Sequence, residues 1–286
     1  MTEEKKRKIA SIKSKLKNES IQSGKDYGLV FRNYLMQDVL DKISLSNYAE
    51  NFILKGGYLL FLLYEKNYPR ATYDLDFSGQ QISNSREDLL DVFLEILSNI
   101  NNNSPIYYDL ESLKGEIINI EKEYTGIRIS INAFLDRSRE TLSLDISFGD
   151  IIIDGANTLF LEDSLNDKFL KFFVYPIESV IAEKLEAIVA LGEDNYRLKD
   201  FYDLYYILEE FEFSQDKLKR AVYQTFKNRN TALEFSIFEN ENFIFSKTTQ
   251  YKWDSMKKRG KFKEDNLSFP ECIEIIRENI LPLFKN

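Results

Sequence analysis

Lys55 to Gly79 reads KGGYLLFLLYEKNYPRATYDLDFSG, and the way this stretch ends decides what the chain builds. In an extended strand Tyr73, Leu75 and Phe77 fall on one side, and Asp74 and Asp76 share the other. Aspartate is depleted in strands, and like charges on one face repel. A pair so placed needs compensation from nearby. Residues i and i+2 of a strand lie about 6.5–7 Å apart at Cα. Carboxylates at that spacing can converge on two divalent ions ~3.5–4 Å apart, the arrangement that serves in-line displacement at phosphorus. Bound cations would also cancel the repulsion. A bare Asp-x-Asp is a common surface pattern, but this one follows an apolar run and Gly56-Gly57. Those glycines let the backbone approach a phosphate, and a helix starting there would aim its amides at the anion. A tight strand-to-helix turn is the plainer reading, and it is compatible with that role.

Working outward, "IASIKSKL" and "YGLVFRNYLMQDVLDKI" carry apolar residues at three- and four-residue spacing and predict N-terminal helices. "NFILKGGYLLFLL" predicts a strand that turns at the glycines into a short helix. "SREDLLDVFLEILSNI" predicts an amphipathic helix with Ser85 as its cap. "NNNSP" is a loop, and "IINIEKEY", "GIRISINAFL" and "TLSLDISF" form a β region with turns at "TG" and "DRSRE". From Pro176 the pattern is mostly helical. The expected class is α/β (α+β): an α/β lobe over residues 1–170, including the N-terminal helices, and a helical lobe over 171–286.

The totals exclude several chemistries. There is no histidine among the 286 residues, which removes His-based triads, His metal ligands and imidazole acid–base catalysis. Cys272 is the single cysteine, so neither a disulfide nor a cysteine-ligated zinc site forms within one chain. Any catalysis falls to Asp, Glu, Lys, Arg, Tyr, Ser or a hard cation such as Mg²⁺. No apolar run approaches the ~18 residues of a membrane span. The basic stretch after Met1 is followed by no apolar region, so no secretory signal is expected and the cytoplasm is the default compartment. A net charge of −9 argues against indiscriminate nucleic-acid binding. "KTTQYKWDSMKKRGKFK" (Lys247 to Lys263) is nevertheless locally basic. It interleaves Tyr251, Trp253 and Phe262 with Lys252, Lys257, Lys258, Arg259, Lys261 and Lys263. A groove that follows a phosphate backbone and stacks bases wants that mixture. A solvated surface segment would read the same way.

Three further residues stand out. Asp145 lies on the polar side of "TLSLDISF", so it joins Asp74 and Asp76 if the strands are neighbours with matching faces; otherwise it simply faces solvent. Lys184 falls in the apolar stripe of Ile177, Val180, Ile181, Ile188 and Leu191. Its ammonium must either snorkel outward or reach a polar cleft, where it could grip a triphosphate. Glu178, Glu183 and Glu186 lie off the stripe's centre and read as surface charges. In "YRLKDFYDLYYILEEF", Asp200 and Asp203 edge a helix packed through Phe201, Leu204, Tyr205 and Leu208. Arg197–Asp200 and Lys199–Asp203 have the spacing of helical ion pairs, while Asp200 could instead orient Lys184.

In this order the segments "FRNYLMQDVLDKISLSNYAENFILKGG", "RATYDLDFS", "YPIESVIAEKLEAIV" and "RLKDFYDLYYIL" resemble the AbiEii/AbiGii-type nucleotidyltransferase toxins of bacterial abortive-infection and toxin–antitoxin systems. The resemblance covers most of residues 10–210. It implies a polymerase-β-like minimal nucleotidyltransferase fold with a small mixed sheet and an appended helical lobe. It implies transfer of a nucleoside monophosphate from an NTP, several members acting on the tRNA 3′ end, and a possible cognate antitoxin. Asp74 and Asp76 match the metal-binding pair, Thr72 the hydroxyl residue before it, and Asp145 the third carboxylate. Lys184 matches the essential lysine and Asp200 the late aspartate, with Asp203 as the fallback. Tyr58 departs from the pattern, because Ser or Thr often follows Gly-Gly; the 16 residues between Gly57 and Asp74 are also more than the wider superfamily uses.

The expected activity is therefore Mg²⁺-dependent nucleotidyl transfer to RNA, with two ions held by Asp74, Asp76 and Asp145. Gly56, Gly57, Thr72 and Lys184 face the nucleotide, and Lys252, Trp253, Lys257, Lys258 and Arg259 guide the RNA. The alternatives are a protein-modifying nucleotidyltransferase, a phosphotransferase, or a non-catalytic RNA- or partner-binding module of the same fold.

Overall fold

A computed structural model describes residues 3–98, 104–121, 124–163, 168–194, 197–259 and 266–284. The chain divides into two compact units. The first comprises 1–66, 72–149 and 157–174; the second comprises 67–71, 150–156 and 175–286. Two short segments that precede residue 175 thus belong with the helices that follow it.

The first unit opens with helix α1 (Glu3–Ser23), which buries Ile9, Ile12 and Leu16, and α2 (Tyr27–Ser44). Asp26 caps α2 by accepting from the Gly28 amide at 2.9 Å. Strand β1 (Phe52–Lys55) is buried throughout and runs directly into α3 (Gly56–Leu63), the strand-to-helix turn that the two glycines predict. Strand β2 (Leu75–Gly79), helix α4 (Arg86–Ser98) and the long strands β3 (Ile106–Glu121), β4 (Tyr124–Leu135) and β5 (Ser138–Phe148) follow. A last hairpin pairs β6 (Asn157–Asp163) with β7 (Lys168–Val174).

The strands form one mixed sheet in the order β3-β4-β5-β2-β1-β7-β6. β2 lies at its centre, parallel to β5 and antiparallel to β1, while β1 runs parallel to β7. The mixed α/β class expected from the sequence is present. Leu75 and Phe77 are buried as the alternation requires, but Tyr73 is exposed, because β2 starts only at Leu75. Phe52 sits between Phe77 and Phe93, at centroid distances of 5.9 and 5.2 Å, and so ties β1, β2 and α4 into one core. The β6–β7 hairpin does not stand out in the sequence pattern, because Phe172, Phe173 and Val174 run on without the alternation that marks a half-buried strand.

The second unit holds α5 (Ile177–Leu191), α6 (Lys199–Glu210), α7 (Gln215–Asn228), the single-turn α8 (Glu241–Ile244), α9 (Lys247–Arg259) and α10 (Phe269–Phe284). Its core is aromatic. Phe201 of α6 meets Phe269 of α10 at 5.1 Å and Phe238 at 6.0 Å, and Phe269 also meets Trp253 at 5.3 Å. Cys272 lies in the same core with its thiol donating to the Phe201 carbonyl at 3.1 Å.

Trp253 corrects one expectation. Its ring is buried, packs on Tyr202 and Phe269, and donates its indole N–H to the Leu267 carbonyl at 3.0 Å. A ring so enclosed has no face to offer a base, so Trp253 is a core residue. Trp253→Ala should therefore cost about 3–5 kcal/mol of stability. Urea unfolding measures this, and a loss within experimental error would show that the ring is not packed.

Candidate active site

In the first unit, register brings the acidic residues together. Asp76 on β2 is the cross-strand neighbour of Asp145 on β5. Asp74 precedes β2 by one residue and shares Asp76's side. Each of the three offers a carboxylate oxygen, and these oxygens all lie within 4.8 Å of one another, in half-buried positions. Asp145 therefore joins the pair; its strand does neighbour β2 with matching faces. Thr72 is buried beside them and donates to Asp74 Oδ1 at 3.4 Å.

Two cations flank the carboxylates in the same row of the sheet. Lys55 on β1 is in register with Asp76, and Arg128 on β4 is in register with Asp145. Cross-strand partners share a face, so the row reads Lys55, Asp76, Asp145, Arg128. Arg128 grips Asp145 with both arms, Nε to Oδ1 at 2.7 Å and Nη2 to Oδ2 at 2.6 Å. These hydrogen bonds, with the charges of Asp145, Asp74 and Asp76, raise the guanidinium pKa despite partial burial. Neither cation stands out from the sequence pattern alone. A signal existed for Arg128: the turn pairs Leu135 with Ser138, and counting seven residues back along each strand sets Arg128 opposite Asp145.

Gly56 completes the cradle. It opens α3 with φ +67°, a conformation few other residues adopt. A Cβ there would lie 2.7 Å from Asp76 Cγ and closer still to Oδ2. The positive end of α3 thus abuts the Asp76 carboxylate, and it carries no side-chain cap. Gly57 is buried in the first turn. Tyr58 gives its hydroxyl to the Asn33 carbonyl at 3.3 Å, so it does not replace the Ser or Thr hydroxyl. The donor set fits a hard divalent cation. Three carboxylate oxygens can supply such an ion's protein ligands, leaving further positions for water or phosphate oxygens.

The second unit contains a largely buried ion network. Asp203 receives Lys184 Nζ at 2.6 Å, Arg70 Nε and Nη2 at 2.7 Å each, and the Tyr68 hydroxyl. Lys184 also reaches Asp200 at 3.2 Å, which matches the expected orientation of the lysine by Asp200. Arg197 Nε lies 3.1 Å from the other Asp200 oxygen, close enough for an ion pair but misaligned as a hydrogen bond. Asp203 is not an edge residue paired with Lys199 but the centre of this network. Burial alone would raise its pKa, yet the charges of Arg70 and Lys184 hold the carboxyl well below the usual range.

Glu178 and Glu186 are likewise buried rather than on the surface. Glu186 accepts from Arg229 at 2.8 Å and from Thr231 at 2.5 Å, while Glu178 accepts from the Ser214 amide at 3.1 Å. Glu183 lies 3.6 Å from Arg229. On α9, Lys252, Lys258 and Arg259 are exposed, while Lys257 donates to the Leu267 carbonyl at 3.1 Å. Lys261, Phe262 and Lys263 lie outside the described residues.

A mixed sheet presenting Asp76 and Asp145 from neighbouring strands, with Asp74 just before the first of them and a glycine-opened helix alongside, is the architecture of a nucleotidyltransferase. The chain belongs to the family described as nucleotidyl transferase AbiEii toxin, type IV toxin–antitoxin system, which matches it over residues 38–275. Membership makes it an enzyme that transfers nucleotides, a toxin with a nucleotide substrate and an antitoxin partner. The fold is shared by the crystal structure of JHP933 from Helicobacter pylori, with a TM-score of 0.53, 16% identity, and 90% of this chain and 92% of that one covered. A candidate nucleotidyltransferase from H. pylori matches with a TM-score of 0.53, 16% identity, and 91% and 100% coverage. No curated protein matches the sequence. No helix among the described residues is long and apolar enough to cross a membrane.

The Asp203 network yields a stability test. Asp203→Asn leaves two buried cations under-compensated and should cost about 3–5 kcal/mol at neutral pH. A carboxyl depressed by folding contributes fully above its unfolded pKa of about 4 and loses that contribution as pH falls through the folded value. The stability gap between the native protein and Asp203→Asn should thus be flat from about pH 8 to 5 and close progressively below about pH 4. Denaturant titrations across that range check it. A gap that widens in acid would mean that Asp203 is not held ionised by Arg70 and Lys184.

Proposed function

We propose that this protein transfers a nucleoside monophosphate from an NTP to an RNA hydroxyl, at the 3′ end of tRNA, in the cytoplasm. The observation that carries this reading is the convergence of Asp74, Asp76 and Asp145 at the positive end of α3. Two Mg²⁺ ions bound by these carboxylates would neutralise the triphosphate and make the attacking hydroxyl more acidic.

The chain's own residues supply the rest. Asp145 takes the proton of the acceptor hydroxyl, since no imidazole exists to do so. The hydroxyl oxygen bonds to the α-phosphorus, the bond to the bridging oxygen breaks, and pyrophosphate leaves with that electron pair. The Gly56 and Gly57 amides meet phosphate oxygens, and Thr72 orients Asp74. Lys184, aimed by Asp200 and Asp203, is assigned the neutralisation of phosphate charge. Its support is its place in the family's order of motifs and an ammonium fixed by two aspartates. Lys252, Lys258 and Arg259, exposed along α9, contact the RNA backbone. Lys257 has a weaker claim, since its ammonium is already engaged with a carbonyl. Trp253 has none.

Incubation with each of four labelled NTPs and purified tRNA should place label in the RNA with one or more of them. Asp76→Ala should lower transfer at least about 100-fold; transfer that survives the substitution rules the reading out. Lys184→Met should abolish transfer while the circular dichroism spectrum stays native. Loss of the fold instead would make the lysine structural. The mass added to the acceptor separates a mononucleotide from a phosphate, and labelled protein in place of labelled RNA would redirect the assignment to a protein acceptor.

A further inference from the structure

Arg128 holds Asp145 in a geometry that bears on how a cation enters. The two-armed contact uses one lone pair on each Asp145 oxygen and leaves the others available. The arrangement is set by the backbone, because Arg128 and Asp145 are paired across β4 and β5. The guanidinium side chain is 40% exposed, so it can swing away without opening a hole in the core. It is also a permanent charge, ionised at any pH the cell uses. Three carboxylates within 4.8 Å of one another would attract a divalent ion strongly if nothing else were near. A guanidinium hydrogen-bonded to one of them opposes that ion by simple repulsion, and at half-buried positions solvent screens the repulsion only in part.

We propose that Arg128 is a positioning residue that doubles as a resident competitor of the divalent ion. It keeps Asp145 aimed at Asp74 and Asp76, and it makes the nucleotide-free site a weak one for a bare cation. The ion then enters together with a triphosphate, whose negative charge offsets the guanidinium and offers it a new partner. This inference rests on the reading of the three aspartates as a cation site, but not on the identity of the acceptor.

The test uses Mn²⁺ as the probe, titrated into the nucleotide-free full-length protein and followed by the paramagnetic resonance signal of free Mn²⁺. Arg128→Gln should bind Mn²⁺ about tenfold more tightly than the native protein. Arg128→Lys keeps the charge and should stay close to native. Addition of a non-hydrolysable NTP analogue should narrow the gap between native and Arg128→Gln. Thermal melts without metal check the fold, and Arg128→Met replaces the glutamine variant should that one fail to fold. A purely structural arginine would give the opposite sign, with weaker binding in both neutral variants. Equal or weaker binding by Arg128→Gln overturns the proposal. If Asp76→Asn leaves Mn²⁺ binding unchanged, the cation-site reading falls as well; if it abolishes binding while Arg128→Gln matches native, only the role given to Arg128 falls.

Discussion

Asp76 and Asp145 are register neighbours on parallel strands in the middle of a sheet, an arrangement that is repulsive for two carboxylates. The surroundings compensate for it. Lys55 stands in register on one flank and Arg128 on the other, so a cation closes each end of the row across four strands. The helix that follows Lys55 without a break presents its positive end to Asp76. This constraint explains the glycine at position 56, where any side chain would collide with the Asp76 carboxylate. It also explains why β1 is only four residues long: the strand must stop where its helix can begin.

The second unit also compensates a pair of aspartates with cations, and here three cations do so. Arg70, Lys184 and Arg197 gather around Asp200 and Asp203, with Asp203 taking contacts from two of the cations and a tyrosine hydroxyl. A buried carboxylate is tolerable only when its lone pairs are filled, and those of Asp203 are. Asp200 is held less completely, with one oxygen on Lys184 and the other beside a misaligned Arg197. The two aspartates therefore differ in role. Asp203 secures the network, and Asp200 adds a second, longer contact at 3.2 Å to the same ammonium that Asp203 holds at 2.6 Å.

How much of this was legible in the sequence depended on whether a pattern was local. The turn at Gly56-Gly57, the acidic pair, the helix after Ser85 and the Pro176 helix all follow from spacing within a dozen residues, and each is found. The anomaly of Lys184, a cation in an apolar stripe, was also local, and it pointed to a real buried ion pair. Arg128 was harder. The alternation of "GIRISINAF" places it on the polar side of a strand, yet its partner becomes visible only after the hairpin register is counted out from the turn.

Other residues were misread because a one-dimensional pattern gives the face of an element and not what covers it. Glu186 lies off the centre of the α5 stripe, which normally means solvent, but Arg229 and Thr231 from beyond α7 close over it. Trp253 sits among lysines on a basic helix, which suggested base stacking. The lysines at 252 and 258 do face outward, while the indole turns in toward Tyr202 and Phe269, where its large apolar area is worth more buried than exposed. A basic helix with one tryptophan is thus an amphipathic helix first. Its exposed cations, Lys252, Lys258 and Arg259, lie away from the side that the tryptophan anchors to the core.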